Sequence, residues 1–302
     1  MKTISFPLRH KLFAYLHDID IIGVRTLASK LPKLLIPHPK GKVLLQTLYG
    51  FRLWIDPATD KGIERSLYYT GTYERGTLEF IGKLLSEGDW FVDAGANIGL
   101  MSVFAAKCVG KSGKVYAFEP NPATYDILKS NIHVNNLENV QLMPIALGAG
   151  PGKAILYDRW ESNRGSASLI KPAKVTTSAE IEIMILDDCL PIGKIRLAKF
   201  DIEGFELEAL KGFERTLCRP DAPILIIENS DIHSHPGSNS ESLFAFLSGI
   251  NDYNIYKSLR KKNRISKLVK IKSANQFPHN DNIYCFLPAH IESIKDRSLF
   301  HS

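Results

Sequence analysis

No stretch of this 302-residue chain approaches the roughly 20 consecutive apolar residues that a membrane-spanning helix needs. Charges at Arg9, Lys11, Asp18 and Asp20 interrupt the region where a secretory leader would require an unbroken apolar segment, so a cytoplasmic location is expected. Cysteine is scarce. Cys108, Cys189, Cys218 and Cys285 stand far apart with no C-x-x-C pair, which argues against a zinc site or a disulfide framework and fits free thiols in a reducing compartment. Internal repeats and low-complexity segments are also lacking. Nor is there a strong excess of charge: the net value is +6, and eight basic residues fall within 257–272, leaving the remainder slightly acidic and giving no clear nucleic-acid signal. What is present is the composition of an ordinary globular protein, 44% hydrophobic and 23% charged, with enough length to bury a full core.

The chain is organised around Trp90-Phe-Val-Asp-Ala-Gly-Ala-Asn-Ile-Gly99. Trp90, Phe91 and Val92 show no polar alternation and run into a turn, as a short buried strand does. After the glycines, Ile98, Leu100, Met101, Val103, Phe104, Ala105 and Ala106 are apolar on nearly every side, as in a helix packed against a sheet. Gly95 and Gly99 allow a tight turn and close approach of a ligand to the helix N-terminus. The spacing is G-x-x-x-G, not the G-x-G-x-x-G of a dinucleotide turn, and Asp93 precedes it. A carboxylate there repels a pyrophosphate but suits a ligand with an ammonium or another positive centre.

The next strand, Val115 to Phe118, ends on Glu119, where an acidic residue can accept hydrogen bonds from both hydroxyls of a ribose. A ligand with a ribose and a cationic amino-acid-like end is S-adenosylmethionine; NAD satisfies only the ribose half. Further pieces follow in order: Ala117-Phe-Glu-Pro-Asn-Pro122, Ile145-Ala-Leu-Gly148, Leu186-Asp-Asp-Cys-Leu190 and Lys199-Phe-Asp-Ile-Glu-Gly-Phe-Glu206. With the glycine turn, these resemble the FkbM-type S-adenosylmethionine-dependent methyltransferases over roughly Tyr69 to Glu228. One position departs from the family pattern: Phe200 stands where an aliphatic residue is usual. The resemblance implies a cofactor site that includes Ala96, Asn97, Pro120 and Asn121 beside Asp93, Gly95, Gly99 and Glu119. It also implies a backbone contact to adenine at Ala146, a Gly/Ser-rich border at Gly165 and Ser166, for which an ordinary solvent loop of that composition is the competing reading, and proximity of Tyr73 and Glu74. For the last pair, a helix cap is an equal alternative.

Alternation of strands and helices from Trp90 onward argues a parallel sheet with right-handed crossovers. The expected fold is α/β: a seven-stranded, mostly parallel, doubly wound sheet of the Rossmann-like class I methyltransferase type. Residues 1–68 are expected as an N-terminal extension of short helices and a hairpin (Val43 to Thr47 with Phe51 to Ile55), 69–290 as the methyltransferase domain and 291–302 as a tail. Ala154 to Tyr157 and Glu180 to Ile185 read as additions to one sheet edge. Asp201 and Glu203 are expected to open a helix after the fourth strand, where helix capping is the competing explanation. The loop after Glu228 carries His233 and His235, of which His233 is a candidate base; two histidines without a third ligand do not argue for a metal. The basic run 257–272 reads as a solvated hairpin tip, with weak contact to an anionic surface as the alternative.

The reaction this implies is O-methylation of a hydroxyl on a small-molecule or glycan acceptor, with Asp201 as the first choice of base ahead of Glu203 and His233. A nicotinamide-dependent oxidoreductase and a non-catalytic binding protein on the same fold remain as rival readings.

Overall fold

The computed structural model describes residues 3–18, 31–158, 167, 169, 175, 177–230, 239–264, 266–294 and 299–300. Near the N-terminus, β1 (Thr3–Ile4) pairs in parallel with β2 (Val43–Gln46), which forms the expected hairpin with β3 (Arg52–Ile55). The free edge of β3 is closed by amides of the helix Pro122–Val134 and its cap. Asn131 Oδ1 accepts from the Trp54 N–H at 2.6 Å, and Asn135 Nδ2 donates to the Arg52 carbonyl at 2.6 Å. Asn131 is fully buried, and its Nδ2 also donates to the Ile98 carbonyl at 2.8 Å, so the hairpin braces the glycine turn.

The central sheet is built from β4 (Trp90–Ala94), β5 (Lys114–Phe118), β6 (Val140–Met143), β10 (Ile195–Phe200), β11 (Ile224–Asn229), β12 (Asn254–Ser258), β13 (Leu268–Lys270) and β14 (Asp281–Phe286). Its order is β13-β12-β14-β11-β10-β4-β5-β6, with the five strands from β11 to β6 parallel and the others joined antiparallel. These are the seven strands the sequence implies, with the short β13 added at the outer edge. From β4 the chain winds outward through β5 and β6, then returns to β10 on the other side. The crevice between the C-terminal ends of β4 and β10 is thus the topological switch point, where open α/β sheets bind ligands.

Alternation along the strands feeds two cores. Phe91, Val115 and Leu197 face the N-terminal elements and the helices Arg75–Leu84 and Leu100–Val109, while Val92, Tyr116 and Ala198 face Leu207, Leu210 and Phe213. Among the described residues no helix is long and apolar enough to cross a membrane.

Three expectations need correction. The strands β7 (Ala146–Leu147), β8 (Gly152–Asp158) and β9 (Thr177–Met184) do not extend the central sheet; they form a small sheet of their own, because β9 pairs with both others. The helix after β10 begins at Glu206, with Phe205 as its N-cap, so Asp201 and Glu203 lie in the preceding turn and are not helix caps. Finally, the basic run is not a simple solvated tip. In this strand order β12 runs parallel to β11, so the segment leaving its C-terminal end emerges at the ligand edge and buries Arg264 there.

Candidate active site

The turn after β4 is closed by its neighbours. Gly95 has φ 83°, and a Cβ there would lie 2.0 Å from the Asp201 carbonyl oxygen, a contact only glycine avoids. The N–H groups of Gly95 and Ala96 both donate to the Phe118 carbonyl, at 3.0 and 2.8 Å. Asn97, at φ 51°, directs its N–H to Glu119 Oε2 at 2.9 Å, and the Asn121 N–H reaches Glu119 Oε1 at 2.9 Å. Glu119 is therefore locked at the tip of β5 by one backbone donor on each oxygen. A carboxylate oxygen accepts more than one hydrogen bond, so this anchoring is compatible with a ligand diol.

Beside the turn opens a pocket at the ends of the strands, where small-molecule sites of open α/β sheets lie. Its lining combines Gly95, Asn97 and Pro120 with the apolar Ile145, Ala146, Leu156, Ile202 and Phe205. Its ionisable lining among the described residues is Glu119, Asp201 and Glu203, with no lysine, arginine or histidine. Such a lining favours a cationic ligand and disfavours a pyrophosphate. Glu203 has φ 54° and Glu74 φ 45°; with Asn97 they are three of the six described non-glycine residues in left-handed backbone. Strain of this kind persists where the surroundings over-determine the conformation, typically around binding sites.

Beside the pocket, carboxylates from the turn after β10, from the helix cap at Glu74 and from the end of β11 converge on two lysines. Lys199, on β10 and register partner of Asp93, is buried and pairs with Asp201 at 2.6 Å. Lys262, from the segment after β12, reaches Glu74 at 2.7 Å and also Glu228 at the end of β11. Its own N–H donates to Asp281 Oδ1 at 2.8 Å, and its carbonyl accepts from the Thr77 N–H at 3.2 Å. A lysine buried in a central strand needs a counter-charge, which Asp201 supplies to Lys199.

The charges shape one another. Burial alone would raise Asp201, but Lys199 beside it, a hydrogen bond from Glu228 and the charge of Lys262 hold it well below the usual carboxylate range. Glu228 moves the other way, pushed up by burial and then by the negative Asp201. Two carboxyl groups so placed share a single proton near neutrality. Asp93 is raised by burial against the pull of Lys199 and Ser102. Its Oδ2 accepts from Ser102 Oγ at 2.6 Å, while its Oδ1 is buried with no hydrogen-bond partner among the described residues.

The residues singled out in the sequence thus fall into groups. Gly95, Asn97, Glu119, Pro120, Ala146, Asp201 and Glu203 line one pocket. Ala96 and Gly99 shape the turn behind it, and Asp93 lies beneath, wholly buried and not in the lining. Asn121 caps the next helix through its side chain, accepting from Ala123 and Thr124. Tyr73 and Glu74 belong to the lysine cluster; Glu74 is also the N-cap residue of the helix Arg75–Leu84, although its side chain accepts no backbone hydrogen bond there. Gly165, Ser166, His233 and His235 lie outside the described residues. Sequence reasoning passed over Lys199, Glu228 and Lys262 as members of the site. For Lys199 the signal was its place inside a buried strand; for Lys262 it was the strand order, which no local pattern reveals.

Among known proteins the chain is similar to methyltransferases. The chain is 31% identical over 162 residues to the methyltransferase sdnD of Sordaria araneosa, covering 43% of this chain and 62% of that protein. It is 30% identical over 149 residues to the hexuronic acid methyltransferase AglP of Haloferax volcanii, covering 47% and 59% respectively. The matches therefore span about three-fifths of the length of these relatives. Among solved structures, the tRNA m1G37 methyltransferase of M. jannaschii is similar with a TM-score of 0.41 and 17% identity, over 89% of this chain and 68% of that one. A family model described as the methyltransferase FkbM domain matches residues 93–255, from the end of β4 to the start of β12, and the chain belongs to the FkbM methyltransferase family.

Proposed function

We propose that this protein is an S-adenosylmethionine-dependent methyltransferase that acts on a hydroxyl of a small-molecule or sugar-containing acceptor. The observation that carries the reading is the pocket at the switch point, lined by three carboxylates and no described cation, with Glu119 anchored at its edge. The donor set fits the cofactor: carboxylates for a molecule bearing an ammonium and a sulfonium, a strand-tip glutamate for the ribose diol, and apolar Ile145, Ala146 and Leu156 beside the adenine. Gly95, Ala96, Asn97, Gly99, Pro120 and Asn121 supply the backbone cradle. Asp93 acts from beneath through Lys199, and Tyr73, Glu74 and Ser166 complete the border. When bound, the cofactor supplies a methyl group made electrophilic by the positive sulfur. A nicotinamide dinucleotide would set its pyrophosphate against the same carboxylates.

Asp201 is the base. It lines the pocket, and as the charged member of the pair with Glu228 it takes the proton of the acceptor hydroxyl while Lys199 holds it in place and Lys262 holds Glu228. Glu203, on the same lip, orients the acceptor, and His233 is the alternative base. The hydroxyl and sugar specificity draws support from the hexuronic acid methyltransferase among the relatives. A cytoplasmic location goes with four free thiols. The division into 1–68, 69–290 and 291–302 completes the proposal. Incubation with methyl-labelled S-adenosylmethionine and a panel of hydroxylated sugars should label an acceptor oxygen; exclusive labelling of nitrogen or carbon acceptors would overturn the O-methyl assignment.

A further inference from the structure

The described part of the N-terminal region carries an apolar face that the core does not use. In the helix Pro7–Asp18, His10 and Phe13 are buried, whereas Leu8 is 83%, Leu12 44% and Tyr15 66% exposed. These three are spaced four and three residues apart and so share one side of the helix. Leu34 and Leu35, 78% and 44% exposed, adjoin them, because Arg9 donates from its guanidinium to the Leu35 carbonyl. Five of the nine large hydrophobic residues found exposed are gathered here.

The charged side chains described on this helix and on 31–55 are basic, and the nearest acids in sequence are Asp18 at the helix end and Asp20. Arg9, Lys11, Lys33, Lys40 and Lys42 are exposed, and between Thr3 and His17 and again between Leu31 and Ile55 the sequence has no acidic residue. We propose that this face docks on an anionic phospholipid surface, with the leucines and Tyr15 entering the headgroup boundary and the cations facing lipid phosphates. A protein partner of mixed charge would leave five cations unmatched, and a second copy would bring like charges together. The basic segment 257–272 is less suited to the task. Arg264 is buried and Lys262 half-buried in ion pairs there, and Leu259 is its one large apolar residue found exposed.

The test is sedimentation of the full chain with vesicles of phosphatidylcholine alone or with about a third phosphatidylserine. Binding to the anionic vesicles, weakened at high salt and at least tenfold lower in Leu8→Glu/Leu12→Glu/Leu34→Glu, is expected. All three positions are exposed, so unchanged thermal unfolding should accompany the loss. Equal binding by that variant, loss of binding only in Lys261→Glu/Lys267→Glu, or no binding to anionic vesicles at low salt would overturn the proposal. So would a wild-type dimer that the triple variant converts to monomer.

Discussion

At the scale of single residues, the site depends on atoms held in place by backbone. Gly95→Ala places a methyl 2.0 Å from the Asp201 carbonyl oxygen in a left-handed conformation. The strain alone costs about 1 to 3 kcal/mol, and the clash adds to it, so a clear fall in melting temperature is expected. Asp201→Asn removes the base and unpairs Lys199. Turnover should drop by about 10² to 10⁴ while S-adenosylmethionine affinity stays within a few-fold, measured at a temperature where the variant is folded. Unchanged turnover would move the base to Glu203 or His233.

Glu206 offers a test of pH dependence. Burial pushes its carboxyl up to about 7, against the hydrogen bonds its Oε1 accepts from Ile202 and Gly204, both at 3.1 Å. Because the folded value is raised, its contribution to stability is fully present below about 4.5 and is lost as pH climbs through about 7. Glu206→Gln keeps an oxygen for both donors and does not titrate. Relative to this variant, the wild type should lose on the order of a few kcal/mol between pH 4.5 and 7.5, read from urea unfolding.

At the scale of elements, the segment from β12 to β13 separates two kinds of lysine. Lys262→Met leaves the buried Glu74 and the half-buried Glu228 without that cation and should cost about 3 to 5 kcal/mol, whereas Lys261→Met, one residue away and exposed, should fall within about 0.5 kcal/mol of wild type. Equal melting temperatures for the two variants would show the cluster to be unimportant for folding. The same contrast marks what the sequence made legible. Strand ends at Asp93, Glu119 and Asp201 follow from local pattern, since apolar runs, turns and acidic tips lie within a few residues of one another. Partnerships across the sheet do not, because Lys262 meets Glu74 and Glu228 only after β12 has taken its place beside β14. Period-2 patterning also said nothing of which strand β9 would pair with, so the small sheet was read as part of the large one.

For the whole molecule, one pocket joins the ends of β4, β5 and β10 with the small sheet, and its acidic lining favours a positively charged ligand over a dinucleotide. The most direct measurement is calorimetric titration of S-adenosylmethionine and, separately, NAD into the wild type and Glu119→Ala. Two hydrogen bonds to a charged carboxylate contribute about 1.5 to 3 kcal/mol each, so the variant should bind S-adenosylmethionine at least tenfold more weakly, and NAD should show no comparable affinity for either protein. Undiminished binding of S-adenosylmethionine by folded Glu119→Ala, or tighter binding of NAD by the wild type, would contradict the account.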